Sequence, residues 1–296
     1  MRDAHPLPGA DVVVAGADGP LRLHLVSHGR AGGPPLLLLH GAPASSYLWR
    51  DVVRDLEHEL GCLVPDLVGA GESERPATRR PYALDAQAGA LLRLLGAHGV
   101  ERFTVAGHGL GGSVAVHLAA FAPERVRGLV LLAAPVHADV WPVPPALPLL
   151  VPGLGELVAG LPRWAPALAR RALVRALGAG PSEREIDCYL RPLHAPEGAA
   201  GLLALVRSAD LRAVEASWRI VRADPPPALV LWGGRDQVLS TAYGRRVAGE
   251  LAGAAWVPVG EAGHLLPQER PERVAEEIAA FAADLPVASH GRAPAS

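Results

Sequence analysis

Asp236 and His264 are the two side chains whose local sequence best suits proton transfer. Asp236 closes the run Leu229-Val230-Leu231-Trp232-Gly233-Gly234-Arg235-Asp236, a strand-like apolar stretch that passes into a glycine-rich loop. His264 lies in Gly260-Glu261-Ala262-Gly263-His264-Leu265-Leu266-Pro267, again a loop that follows an apolar run. A carboxylate that orients an imidazole and supports its protonated form makes that imidazole a general base. Asp236 could instead cap a helix beginning near Ser240 or Thr241, although it stands early for that role. A third segment, Thr104-Val105-Ala106-Gly107-His108-Gly109-Leu110-Gly111-Gly112, has the form in which a strand, a sharp turn and a helix lift a nucleophile between glycines. Its central residue is Gly109, which offers no hydroxyl, thiol or carboxylate, so a covalent intermediate has no atom to form on at this turn. Glycine also relaxes a backbone that strains any residue carrying a Cβ, and it leaves room for a water or a substrate atom. A fourth segment, Leu36 to Leu39 followed by His40-Gly41-Ala42-Pro43, offers the backbone N–H of Ala42, which with that of Leu110 would form an oxyanion hole. Both donors are main chain and do not depend on a nucleophile.

Such groups need a rigid scaffold. Continuous apolar runs at 36–39, 62–64, 103–106, 126–133, 228–232 and 255–259 read as strands buried on both faces, as in a parallel sheet. A hairpin with arms at 11–16 and 21–27 turns at Gly19-Pro20 and opens the chain. Helical stretches at 47–60, 84–98, 110–121, 241–251 and 271–282 alternate with the strands, which predicts a wound α/β sheet of eight mostly parallel strands flanked by helices. Between 136 and 222 the pattern holds no strand, only proline-punctuated helical pieces with Trp141, Trp164, Tyr189, His194 and Trp218. Inserted after the sixth strand, this segment predicts a helical lid over the carboxyl ends of the sheet, where open α/β folds place their sites. The expected organisation is a core of 1–135 and 223–285, a lid of 136–222 and a loose tail of 286–296.

Composition narrows the partners. A chain of 296 residues, 50% hydrophobic and 20% charged, can bury one large core. A formal net charge of -2 gives no basic footprint, so a small molecule rather than nucleic acid is the expected partner. The longest apolar region, 146–161, is interrupted by Pro148, Pro152 and Glu156, so no membrane span is expected. No leader pattern is read at the amino terminus, and Cys62 and Cys188 are expected as thiols, which fits a cytoplasmic protein. Neither a metal nor a cofactor is expected, and the oligomeric state is left open.

In the order turn, acid, histidine, these segments resemble the α/β-hydrolase superfamily from about Val12 to Leu285. His40-Gly-Ala-Pro-Ala-Ser-Ser-Tyr-Leu-Trp-Arg50 and Val64-Pro-Asp-Leu-Val-Gly-Ala-Gly-Glu-Ser73 are similar to its haloalkane dehalogenase and epoxide hydrolase branch. That resemblance implies an Asp at the elbow, and Gly109 departs from it. It also implies a halide-binding Asn where this chain has Ala42 and a Trp where it has Leu110, so dehalogenation is disfavoured. Lid tyrosines would protonate an epoxide oxygen, and Tyr189 is one candidate. His40, His108, Trp49, Trp141 and Tyr189 are the expected surroundings of the pocket, with His108 packed in the turn. His137, Arg191 and His194 read either as pocket lining or as solvated lid surface. The leading expectation is an enzyme that acts on a small organic molecule by noncovalent His264/Asp236 general-base catalysis, through direct water attack or lyase, cyclase or isomerase chemistry. Two alternatives stand beside it: a non-catalytic small-molecule binder, and an ordinary Ser or Asp hydrolase of esters or epoxides altered at position 109.

Overall fold

In the computed structural model, which describes residues 7–30, 33–140, 153, 170, 182–194 and 196–286, eight strands form one sheet. They are β1 (Ala10–Ala15), β2 (Pro20–Gly29), β3 (Leu36–Leu39), β4 (Gly61–Pro65), β5 (Phe103–His108), β6 (Val126–Leu132), β7 (Ala228–Gly233) and β8 (Ala255–Val259). Their spatial order is β1-β2-β4-β3-β5-β6-β7-β8. β2 runs antiparallel to both of its neighbours, and every pair from β4 to β8 is parallel. The leucines of β3 have no polar alternation because both faces are covered, and all four are buried.

Helices cover the two faces as the alternation predicts. These are α1 (Arg50–Leu56), α2 (Leu84–Ala97), α3 (Leu110–Phe121), α4 (Glu183–Leu190), α5 (Pro196–Arg207), α6 (Leu211–Ala223), α7 (Thr241–Gly249), α8 (Leu266–Glu269) and α9 (Pro271–Asp284). The stretch expected as one helix over 47–60 is instead a 3₁₀ turn, Ser46–Trp49, followed by the shorter α1. Ser45 caps that turn by accepting the Tyr47 N–H, and both Glu59 and Leu60 bond back to the Leu56 carbonyl, which ends the helix before the chain enters β4. Between β6 and β7 the described residues hold α4, α5 and α6 and no strand. Much of the expected lid, with Trp141 and Trp164, lies outside the described residues, as does nearly all of the expected tail.

α3 begins at the tip of β5 and lies across the ends of β3 and β6. That crossing needs bare backbone: a Cβ on Gly111 would stand 2.5 Å from the carbonyl oxygens of Leu39 and His40, and one on Gly107 would stand 2.5 Å from that of Gly111. A Cβ on Gly112 would collide with the Ala134 methyl.

α4 is docked by a buried polar cluster. Arg50, 2% exposed, donates from Nη2 to Glu185 Oε1 at 2.8 Å and from Nη1 to Gln268 Oε1 at 2.6 Å, with Asp51 Oδ2 3.1 Å from Nη2. Its guanidinium also lies over the Tyr47 ring, 4.1 Å from the centroid. Gln268 Nε2 donates to the same Glu185 oxygen at 2.7 Å, and Tyr189 donates its hydroxyl to Gln268 Oε1 at 2.8 Å. Glu185 additionally closes a capping box with Ser182 at the start of α4.

Two stability predictions follow from these contacts. Gly111→Ala is expected to lower the melting temperature more than Gly109→Ala, because only the former forces backbone apart; the reverse order would contradict the crossing described. Arg50→Ala removes one side of a buried ion pair and is expected to cost about 3–5 kcal/mol. Arg80→Ala, which breaks the exposed pair with Asp85, is expected to cost less than about 1 kcal/mol. Equal losses in chemical denaturation would show that the Arg50 cluster does not hold α4.

Candidate functional site

The turn between β5 and α3 keeps its sharp form with glycine at its centre, in a backbone region open to glycine. Gly109 adopts φ +54° and ψ −127°, a conformation that disfavours a Cβ. Space is not the limit, because an added Cβ would meet only the Gly41 Cα, at 3.6 Å. Gly41 is the tighter partner: a Cβ there would stand 3.0 Å from the His108 carbonyl oxygen and 3.2 Å from the Leu110 nitrogen. The loop after β3 therefore rests against the elbow, which brings the neighbourhood of the Ala42 amide to that of Leu110. Among the described residues neither of these two N–H groups has an acceptor.

His264 and Asp236 meet at the carboxyl ends of β7 and β8. His264 Nδ1 lies 2.8 Å from Asp236 Oδ2, with the aspartate side chain fully buried and the histidine side chain 12% exposed. The other carboxylate oxygen accepts the backbone N–H groups of Val238 at 2.7 Å and Leu239 at 2.9 Å. Asp236 thus folds its own loop with Oδ1 and addresses the imidazole with Oδ2. It does not cap α7, whose N-cap is Ser240, accepting the Tyr243 N–H. With Nδ1 donating to a carboxylate, Nε2 is the ring nitrogen left to take a proton. The two loops are tied together as well: Gly234 donates to the Val259 carbonyl and Arg235 to that of Ala262. Gly233 lets them touch, since a Cβ there would overlap the Gly263 carbonyl.

His108 connects the elbow to this pair. Its ring stands edge-on to that of His264, centroids 4.9 Å apart, and its Nε2 donates to the His264 carbonyl at 2.9 Å. Burial, with the nearby His264 ring adding to it, pushes the His108 pKa down to about 3. It is neutral at ordinary pH and acts as a strut between the two loops.

The remaining expected residues take different places. His40 is fully buried with both ring nitrogens committed, Nδ1–H to the Gly41 carbonyl and Nε2 to the Leu67 N–H, so it braces the β3 loop rather than facing a pocket. Burial holds its pKa below the ordinary value, against the pull of Asp66. Trp49 is fully buried in the core, and its indole Nε1 has no acceptor among the described residues. Tyr189 stands in a small hollow of about 10 Å³ with Pro43, Ala44 and Leu193, next to the Ala42 loop. Burial pushes its hydroxyl above the ordinary range, so it remains a donor. Ser113, one helical turn beyond Gly109, is not among the expected residues and gives its hydroxyl to the Pro135 carbonyl. His137 is neither solvated nor facing a pocket: it is 3% exposed and joins Tyr243 and Glu250 in a buried polar group with the Trp218 indole. Two residues of the site carried no signal in the pattern. Gln268 and Glu269 sit on α8, a single turn too short to show a helical period.

Among the described residues no cluster of three or more metal-ligating side chains occurs, and no helix is long and apolar enough to cross a membrane. Residues 34–271 match the family model described as the alpha/beta hydrolase fold. A haloalkane dehalogenase of Mesorhizobium japonicum is 26% identical over 276 residues, covering 88% of this chain and 87% of the relative. Epoxide hydrolase 4 of Mus musculus is 35% identical over 136 residues, which cover 46% of this chain and 38% of that protein. The solved structure of an ancestral haloalkane dehalogenase superposes with a TM-score of 0.79 at 25% identity, over 92% of this chain and 98% of that one. With this sheet order, the elbow at the tip of β5, and a match across most of its length, the chain belongs to the alpha/beta hydrolase fold family.

Proposed function

We propose that this protein is an enzyme that acts on a small organic molecule without a covalent intermediate, with His264 as general base, Asp236 as its orienting acid, and the Ala42 and Leu110 amides as oxyanion donors. The observation that carries the reading is the 2.8 Å contact of His264 Nδ1 with Asp236 beside an elbow that holds no nucleophile. A pair that served only an absent nucleophile would have no remaining task. Here the base can act on water instead.

For a carbonyl substrate, Nε2 of His264 takes a proton from a water lying in the space beside Gly109, and the water oxygen adds to the carbonyl carbon. The electron pair moves to the carbonyl oxygen, where the two main-chain N–H groups meet the new charge. Collapse of the adduct then expels the leaving group, which receives the proton held on His264. Asp236 stays ionised throughout and stabilises the imidazolium. Proton abstraction from the substrate itself, giving an enolate held by the same amides, uses the same parts and leads to lyase or isomerase chemistry. The haloalkane dehalogenase relatives do not transfer their named reaction to this chain. Displacing a halide by a carboxylate nucleophile needs an atom that position 109 lacks, and Ala42 and Leu110 bring no side-chain donor for the halide.

Two outcomes test the reading. Against a panel of activated esters and epoxides, His264→Ala is expected to lower the rate of any substrate turned over by about 10²- to 10⁴-fold. Unchanged turnover in that variant would remove His264 from the chemistry, and a ligand recovered unaltered from every incubation would support a binding protein instead. Mass spectrometry of the wild-type enzyme during turnover is expected to show no adduct, whereas Gly109→Ser is expected to accumulate an acyl-enzyme with activated esters. An adduct on the wild-type chain would contradict the noncovalent mechanism.

A further inference from the structure

We infer that Glu269 is the positioning residue of the His264 loop, its single carboxylate gripping the backbone on both sides of the base. The inference rests on the reading of His264 as the base and adds a residue outside the Asp236 pair. Glu269 Oε2 accepts the Gly263 N–H at 2.8 Å, and Oε1 accepts the Leu265 N–H at 3.2 Å. The Leu265 N–H belongs to the peptide that follows His264, and the Gly263 N–H to the Ala262–Gly263 peptide, two before it. Holding both restricts the backbone rotations that aim the imidazole. α8 returns the favour from its own backbone, since Gln268 and Glu269 both donate to the Leu265 carbonyl, at 2.9 Å and 3.0 Å.

A carboxylate is the group this task requires. It offers two acceptor oxygens and no donor, so it can hold two N–H groups at once. An amide in its place would present an NH₂ to one of them. The arrangement matters because the loop's other ties to neighbouring segments, from Arg235 to the Ala262 carbonyl and from His108 to the His264 carbonyl, hold carbonyls only, while Gly260 and Gly263 leave the backbone between them free to rotate. The Asp236 contact fixes only the far end of the histidine, at Nδ1. Without the Glu269 grip, the N–H groups of Gly263 and Leu265 would lose their acceptor, and the main chain at His264 would be held only through carbonyls, those of Ala262, His264 and Leu265. Capping of α8 alone is the competing account, and it predicts an effect on stability without one on the imidazole.

The two accounts separate in a proton-detected ¹⁵N spectrum of histidine-labelled protein, which reports the tautomer of His264 and needs no substrate. In Glu269→Ala the ratio of the Nδ1–H to the Nε2–H form of His264 is expected to fall about tenfold, as the hold on Asp236 loosens. Glu269→Gln, which retains one acceptor and keeps the volume, is expected to shift in the same direction by less, and it decides the question should the alanine variant not fold. Glu261→Gln, in the same loop but with its carboxylate paired to the exposed Arg235, is expected to leave the ratio as in the wild type. A folded Glu269 variant with the wild-type His264 spectrum, or an equal shift in Glu261→Gln, would overturn the assignment. Failure of the base itself would appear elsewhere, as His264→Ala retaining turnover, so the two readings fall independently.

Discussion

A methyl group on Gly41 would stand 3.0 Å from the carbonyl oxygen of His108, and this closeness of two backbones is the constraint on which the site depends. The β3 loop can rest on the elbow only because neither side has a side chain in the way. That contact sets Gly41 beside the Leu110 amide, where α3 starts at the tip of β5. Gly107 in β5 and Gly111 and Gly112 in α3 serve the same crossing. Gly109 differs from them. It has room for a Cβ and is held in a conformation that disfavours one, so its glycine is required by no neighbour. The elbow is therefore kept by its surroundings, whatever residue stands at its centre.

On the opposite side, α8 joins two jobs in consecutive residues. Gln268 bonds Tyr189, Arg50 and Glu185, the group that docks α4 on the core. Glu269 bonds the amides around His264. One turn of helix thus carries both the seat of the helical segment between β6 and β7 and the support of the histidine. His108 adds a third tie through the His264 carbonyl. Rigid support of this kind is what a positioned base needs, since misalignment of a proton acceptor costs rate directly.

Much of this was legible from residue order. Continuous apolarity marked β3 and β7, and the Gly-rich loops after strands marked Asp236 and His264, because parallel strands and tight loops leave strong local patterns. The length of α1 is not legible, since Ser45 starts a 3₁₀ turn whose residues share the apolarity of the helix after it. His40 and His137 look in the sequence like pocket or surface residues, yet both are buried structural groups with partners far away in sequence: Leu67 for one, Tyr243 and Glu250 for the other. Side chains of that sort look alike in a sequence whether they serve chemistry or packing. Glu269 was invisible for the opposite reason, as its partners are backbone amides and leave no residue-type signature.

On the proposed mechanism, His264 acts on a water or substrate atom in the space left by Gly109. A high-resolution crystal structure, with ordered water resolved, addresses it most directly. The expected density is a water or ligand oxygen about 2.6–3.2 Å from His264 Nε2 and in contact with Gly109. A His264 Nε2 bonded to a protein group instead, with the Gly109 space filled by side chains, would contradict it.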